Sequence, residues 1–127
     1  MSELNLSLKL ELMANYERIL PIIKAIANEK RFLILVLILD GPKSFQYLLD
    51  TTKLQKTALS NHLTQLIESK LIEKPDFGRY QLLIDGKNYI RNIYQTWNNS
   101  ILNQEKRLQF EQERGVSLSF LNNFFHK

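Results

Sequence analysis

Leu4, Leu6, Leu8, Leu10 and Leu12 stand at every second position, separated by Asn5, Ser7, Lys9 and Glu11. Strict alternation is the pattern of a half-buried strand, although leucine itself favours helix. Residues 1–15 are therefore expected to form an N-terminal arm, strand or extended. From there the period changes. Ile19, Ile22, Ile23 and Ile26 recur at helical spacing, with Pro21 marking either a first turn or a kink. Beyond a corner at Asn28 and Glu29, the residues Phe32, Leu35, Val36 and Leu39 predict a second, strongly apolar core helix that stops at Asp40-Gly41-Pro42. Ser44 has the chemistry of an N-cap for a short helix reaching about Asp50. After Thr51-Thr52-Lys53 a longer helix runs from Gln55 to about Lys70, its buried stripe being Leu59, Leu63, Leu66 and Ile67. A short helix, a tight turn and a second helix make a helix-turn-helix.

Two strand-like runs follow, Leu71–Lys74 and Tyr80–Ile84, joined by Pro75-Asp76-Phe77-Gly78-Arg79, which reads as a hairpin or wing. Asp85 is placed to cap a final helix over residues 86–114, with Gly115 as its stop. Within that helix Ile90, Tyr94, Trp97, Ile101, Gln104 and Leu108 step alternately by four and three, the spacing of a coiled-coil seam. Ile90, Tyr94, Trp97, Ile101 and Leu108 are accordingly the expected dimer interface, with Gln104 the polar position in it. A second alternating stretch, Val116, Leu118 and Phe120, falls in a tail over residues 115–127. The expected fold is mainly α with a small β-hairpin: a winged helix-turn-helix domain over residues 16–85, followed by a long C-terminal dimerisation helix.

Composition narrows the function. A chain of 127 residues, 44% hydrophobic and 24% charged, suits one folded domain. It has no cysteine, so disulfides, thiolate metal sites and thiol nucleophiles are excluded. With only 4 glycines and no zinc-ligand spacing, phosphate-binding loop, nucleophile elbow or paired-carboxylate pattern, neither an enzyme nor a cofactor or metal requirement is expected. The densest apolar run, Phe32 to Leu39, is far short of the roughly 20 residues of a membrane span. The N-terminus lacks the pattern of a secretory signal. A cytoplasmic protein without a membrane partner is expected, and the net charge of +4 favours a polyanionic one.

The buried stripe of the second helix-turn-helix element leaves Lys56, Thr57, Ser60, Asn61 and Thr64 toward solvent. Hydroxyls and amides bond phosphates or base edges, asparagine pairs with adenine through two bonds, and Lys56 neutralises phosphate at the helix entrance. Arg79, after Gly78, is the wing residue placed to reach a neighbouring minor groove or backbone. An ordinary polar outer face and a solvated loop arginine are the alternative readings. His62 reads as a hydrogen-bonding residue at the core edge or a DNA contact rather than a metal ligand; the other histidine is His126 in the tail. Residues 53–79 hold Lys53, Lys56, Lys70, Lys74 and Arg79 against Glu68, Glu73 and Asp76, a modest basic excess.

Two segments resemble a known family. Lys24-Ala25-Ile26-Ala27 with Arg31 and Ile34-Leu35 is similar to the opening K-A-L-A-x-x-x-R-x-x-I-L of ArsR-like regulators. Leu59-Ser60-Asn61-His62-Leu63, followed by Leu66 and Leu71-Ile72-Glu73, is similar to that family's recognition-helix pattern. The resemblance spans about residues 19–86 and implies a homodimeric regulator that binds double-stranded DNA in a promoter, commonly as a repressor. Three departures are evident. Lys70 stands where the family has glycine, Gln55 stands where a capping serine is common, and Phe45-Gln46-Tyr47-Leu48-Leu49-Asp50 lacks the cysteine motif through which founding members sense metals. A small-molecule effector is not defined by these residues. The competing reading is a winged helix that binds protein as an assembly module of a larger complex.

Overall fold

A computed structural model describes residues 2–75 and 78–114. The chain divides into two units, residues 1–88 and 89–127. Among the described residues the elements run α1 (Glu3–Ala27), α2 (Glu29–Leu37), β1 (Lys43–Ser44), α3 (Phe45–Thr52), α4 (Lys56–Glu68), β2 (Ile72–Glu73), β3 (Arg79–Leu82), α5 (Ile84–Asn98) and α6 (Ile101–Arg114).

The extended arm expected over residues 1–15 is instead the first half of α1. Ser2 caps it, its hydroxyl accepting from the Asn5 N–H at 3.2 Å, and the helix continues through Pro21 to Ala27. In a helix, alternate residues fall on nearly opposite sides, so the five leucines make two stripes instead of one strand face. Leucine's helix propensity prevails over the period-2 pattern. Asn28 then serves both neighbours: it ends α1, and its side-chain oxygen accepts from the N–H groups of Lys30 and Arg31 to start α2.

The core of the first unit is built from Ala25, Ile26, Ile34, Leu35, Ile38, Leu48, Leu59, Leu63, Leu66, Leu71, Ile72 and Tyr80. In α2 and its C-cap the buried residues are Ile34, Leu35 and Ile38, whereas Phe32, Val36 and Leu39, expected in the core, are exposed. The run Phe32–Leu39 is apolar all round, so periodicity could not select a face. Leu59, Leu63 and Leu66 are buried as their spacing predicts, with Ile67 half-buried.

Three short strands form one antiparallel sheet in the order β1-β3-β2. Ile72 faces Leu82 and Glu73 faces Gln81 across the wing. On the other edge of β3, Lys43 faces Tyr80 and Ser44 faces Arg79. β1 has two residues and offers no alternation to read in the sequence. The wing strands are shorter than expected, and Ile84 opens α5 instead of ending a strand.

The single helix expected over residues 86–114 is interrupted at Asn99 and Ser100. Ser100 restarts it as an N-cap: its hydroxyl accepts from the Asn103 N–H at 3.1 Å, and its carbonyl accepts from the Gln104 N–H at 3.0 Å. The buried Asn103 amide donates back to the Asn98 carbonyl at 3.0 Å. The Gly115 stop, the 115–127 tail with its Val116, Leu118 and Phe120 pattern, His126 and the hairpin residues Asp76 and Phe77 lie outside the described residues.

Candidate nucleic-acid interface

The helix-turn-helix is formed by α3, a turn at residues 53–55, and α4. Ser44 caps α3, accepting from the Tyr47 N–H at 3.1 Å. Thr52 closes the helix from inside the core, donating to the Leu48 carbonyl at 2.6 Å and accepting from the Leu54 N–H at 3.4 Å. Its hydroxyl is therefore satisfied despite burial. Lys53 takes the left-handed conformation at φ 61° that turns the chain toward α4.

Helix α4 begins without a side-chain cap, because Gln55 makes no such bond. The first N–H groups of the helix thus remain as donors, and the dipole makes this end favourable for an anion. Lys56, Thr57, Ser60, Asn61 and Thr64 are all exposed along one side. No carboxylate lies between Gln55 and Gln65, the nearest along the helix being Glu68. Thr64 donates its hydroxyl proton to the Ser60 carbonyl at 2.9 Å, which leaves it an acceptor toward solvent. Arg79 is exposed at the first position of β3, opposite Ser44, so it belongs to the strand and not to the connection in which the sequence reading put it. Gly78 before it has φ 68°, a left-handed turn conformation suited to glycine. Neighbouring cations are already occupied: Lys43 pairs with Asp40 at 3.2 Å and lies 5.3 Å from the Tyr47 ring centre, and Lys74 sits 5.6 Å over the Tyr80 ring.

Two basic residues whose roles spacing does not reveal hold this face in place. Lys30 donates to the Thr52 carbonyl at 3.2 Å, tying the start of α2 to the end of α3. Arg31 donates to the carbonyls of Ala25, at 2.8 Å, and Lys24, at 3.2 Å, and its third contact is His62 Nδ1 at 3.3 Å. A guanidinium only donates, so Nδ1 must accept and the ring proton resides on Nε2. Half-burial, and then the Arg31 charge, hold the His62 pKa below its ordinary value. The α1 C-terminus and α4 thus share one cation, a favourable placement for the carbonyl end of a helix. Among the described residues no cluster could hold a metal ion.

The expected dimer residues are placed unevenly. Ile90 is buried, Tyr94 and Trp97 of α5 are 42% and 52% exposed, and Ile101 and Leu108 of α6 are 75% and 50% exposed. The seam they were to form as one helix crosses the break at Asn99 and Ser100.

The helix pair with its turn and the strand pair behind it define a winged helix-turn-helix protein. Residues 28–74, from the α2 cap through the wing's first strand, match the family model described as bacterial regulatory protein, arsR family. That family consists of transcription regulators, not enzymes. Among solved structures, HlyU from Vibrio cholerae N16961 is 29% identical with a TM-score of 0.58, covering 65% of this chain and 95% of that one. NolR from Sinorhizobium fredii is 26% identical at a TM-score of 0.58, over 66% of this chain and 87% of that one. The transcriptional regulator HlyU from Vibrio vulnificus CMCP6 is 26% identical at 0.56, over 72% and 98%. No curated protein matches the chain significantly. No helix among the described residues is long and apolar enough to cross a membrane.

Proposed function

We propose that this protein is a regulator that binds duplex DNA sequence-specifically as a homodimer, acting as a repressor by occupying promoter DNA. The observation that carries the reading is the outer side of α4: Lys56, Thr57, Ser60, Asn61 and Thr64 present hydroxyls, an amide and a cation, free of carboxylates, beside an uncapped helix start. Such a face supplies donors to phosphate at its N-terminal end and both donors and acceptors to base edges along its length. Arg79 on the wing adds a cation for the flanking backbone or minor groove. A twofold dimer doubles these contacts on half-sites about one helical turn apart.

The test is a fluorescence-anisotropy titration against the gene's own promoter region and against random duplex, each at two salt concentrations. Tighter binding to the promoter, with log affinity falling linearly in log salt, is the expected result, since each neutralised phosphate releases counterion. Absence of binding to either duplex by folded, dimeric protein would refute it and favour the protein-binding module.

A further inference from the structure

Lys30 and Arg31 are consecutive cations at the start of α2, and each reaches a different half of the helix-turn-helix. Lys30 ends on the Thr52 carbonyl of α3, a group that does not titrate. Arg31 ends on His62 of α4, a group that does. The rest of this guanidinium is held fast, because it donates to the Ala25 and Lys24 carbonyls at the close of α1. Among the described residues, the Arg31–His62 contact is the side-chain hydrogen bond that joins α4 to another helix; Thr64 bonds within α4, and Gln55 leaves the helix start uncapped. Burial of Leu59, Leu63 and Leu66 supplies the other hold on α4, but apolar burial is non-directional and tolerates a small roll or slide of the helix. A hydrogen bond to a fixed guanidinium is directional and does not. At about 100° per residue, His62 lies roughly opposite the middle of the row Lys56, Thr57, Ser60, Asn61 and Thr64. It can act on that row through the helix, without touching DNA itself.

We infer that Arg31 is a positioning residue for the recognition face, acting through neutral His62, and that protonating His62 frees α4 and weakens sequence-specific DNA binding. The inference deepens the proposed function by naming a pH-sensitive control of the same face. A guanidinium has only protons to give, so the contact exists while Nδ1 keeps its lone pair. A proton there sets two cations 3.3 Å apart. Arg31 does not give up its charge and stays anchored to α1, so the imidazolium is the group that must leave. No other charge is placed to hold it. On α2, Glu29 is exposed and Lys30 is turned to Thr52; at the end of α1, Lys24 is exposed. On α3, Asp50 accepts from Gln46, and on β2, Glu73 accepts from Gln81. Lys74, just beyond β2, lies over the Tyr80 ring. Burial, and then the Arg31 charge, keep the His62 pKa below the ordinary 6.5, so the contact is intact at neutral pH and is lost as pH falls below that range. Protonation elsewhere, at carboxylates or at His126, adds positive charge and favours a polyanion. The two effects have opposite signs.

The test is the preference for the gene's own promoter region over random duplex, taken by anisotropy at about pH 7.5 and about pH 5.5 in one salt concentration. The native protein, His62→Gln and Arg31→Met are compared, each shown by circular dichroism to be folded at both values. On acidification the preference of the native protein falls about fivefold or more. That of His62→Gln, whose amide oxygen accepts without titrating, is the same at both values. Arg31→Met has a lowered preference that no longer depends on pH. Because coupling is reciprocal, the promoter must also lower the His62 pKa, read from the ring resonances of the native protein free and bound; this holds even where Arg31→Met does not fold. An equal response in the native protein and His62→Gln, a native preference that rises in acid, or a His62 pKa unmoved by the promoter would each overturn the inference. No preference at about pH 7.5 refutes the proposed function and this inference with it, whereas a preference that ignores His62 refutes the inference alone.

Discussion

Replacing Lys70 by glycine should stabilise the protein. Lys70 has φ 59°, where a side chain crowds the following carbonyl at a cost of roughly 1–2 kcal/mol. The strain is imposed by the way α4 ends. The Lys70 N–H donates to the Ile67 carbonyl at 3.0 Å and the Leu71 N–H to the Leu66 carbonyl at 3.1 Å, the paired bonds of a Schellman motif, in which the residue held here is usually glycine. Leu66 and Leu71, which flank the motif, are both fully buried, so the chain cannot relax away from it. Glycine removes the crowding but adds roughly 0.4–1 kcal/mol of freedom to the unfolded chain. The net gain should be about 0.5–1 kcal/mol, or a rise in Tm of about 2–4 °C for a chain of this size. The Lys70 side chain is exposed, so no packing is lost. Thermal and urea unfolding followed by circular dichroism measure the effect, with Lys70→Ala as the control that removes the charge but keeps the strain. Loss of stability in the glycine variant, or an equal gain in the alanine variant, would refute the argument.

Gly86→Ala should act in the opposite direction. A Cβ there would lie 2.2 Å from the Leu71 carbonyl oxygen, which already accepts from the Leu83 N–H, and the forced backbone shift should cost about 1–3 kcal/mol in urea unfolding. Because the folded-state pKa of His62 is depressed, the unfolded chain binds its proton more readily; the Arg31–His62 contact stabilises fully above the ordinary value of 6.5 and is lost as pH falls below it. Urea midpoints measured from about pH 7 to about pH 5 should therefore fall more steeply for the native protein than for His62→Gln, whose amide oxygen still accepts but does not titrate. Alanine at both Ser60 and Asn61 should weaken promoter binding at least about tenfold with Tm nearly unchanged, as both side chains are exposed. Anisotropy and circular dichroism on one preparation decide it.

The helix-turn-helix was legible because several independent signals agree there. The Ser44 hydroxyl caps α3 as its position implies, and the spacing of Leu59, Leu63 and Leu66 identified the buried side of α4, hence also its exposed side. α1 was misread because alternating leucines satisfy a strand on one face or a helix on two, and only the second occurs. The break before α6 was hidden inside a four-and-three spacing that is apolar at every position but Gln104, though Ser100 followed by Asn103 had the chemistry of a cap. What spacing could not reveal was reach. Lys30 and Arg31 look like ordinary surface cations in the run Glu29-Lys30-Arg31, yet their side chains extend back to the ends of α3 and α1. Such contacts depend on where three helix ends meet, which is a property of the packed fold.

The central position of β3 has a mechanical consequence. Because this strand bonds to β1, just ahead of α3, and also to β2, which follows α4, Arg79 is braced from both sides of the helix pair. Strand β3 and helix α4 are thereby tied together like the two jaws of a caliper. On the proposed function, adjustment falls to the DNA: a duplex whose grooves already match the gap binds without deformation, and a stiffer or wider one must bend to fit. Base pairs that no side chain touches would therefore still influence which sites are held.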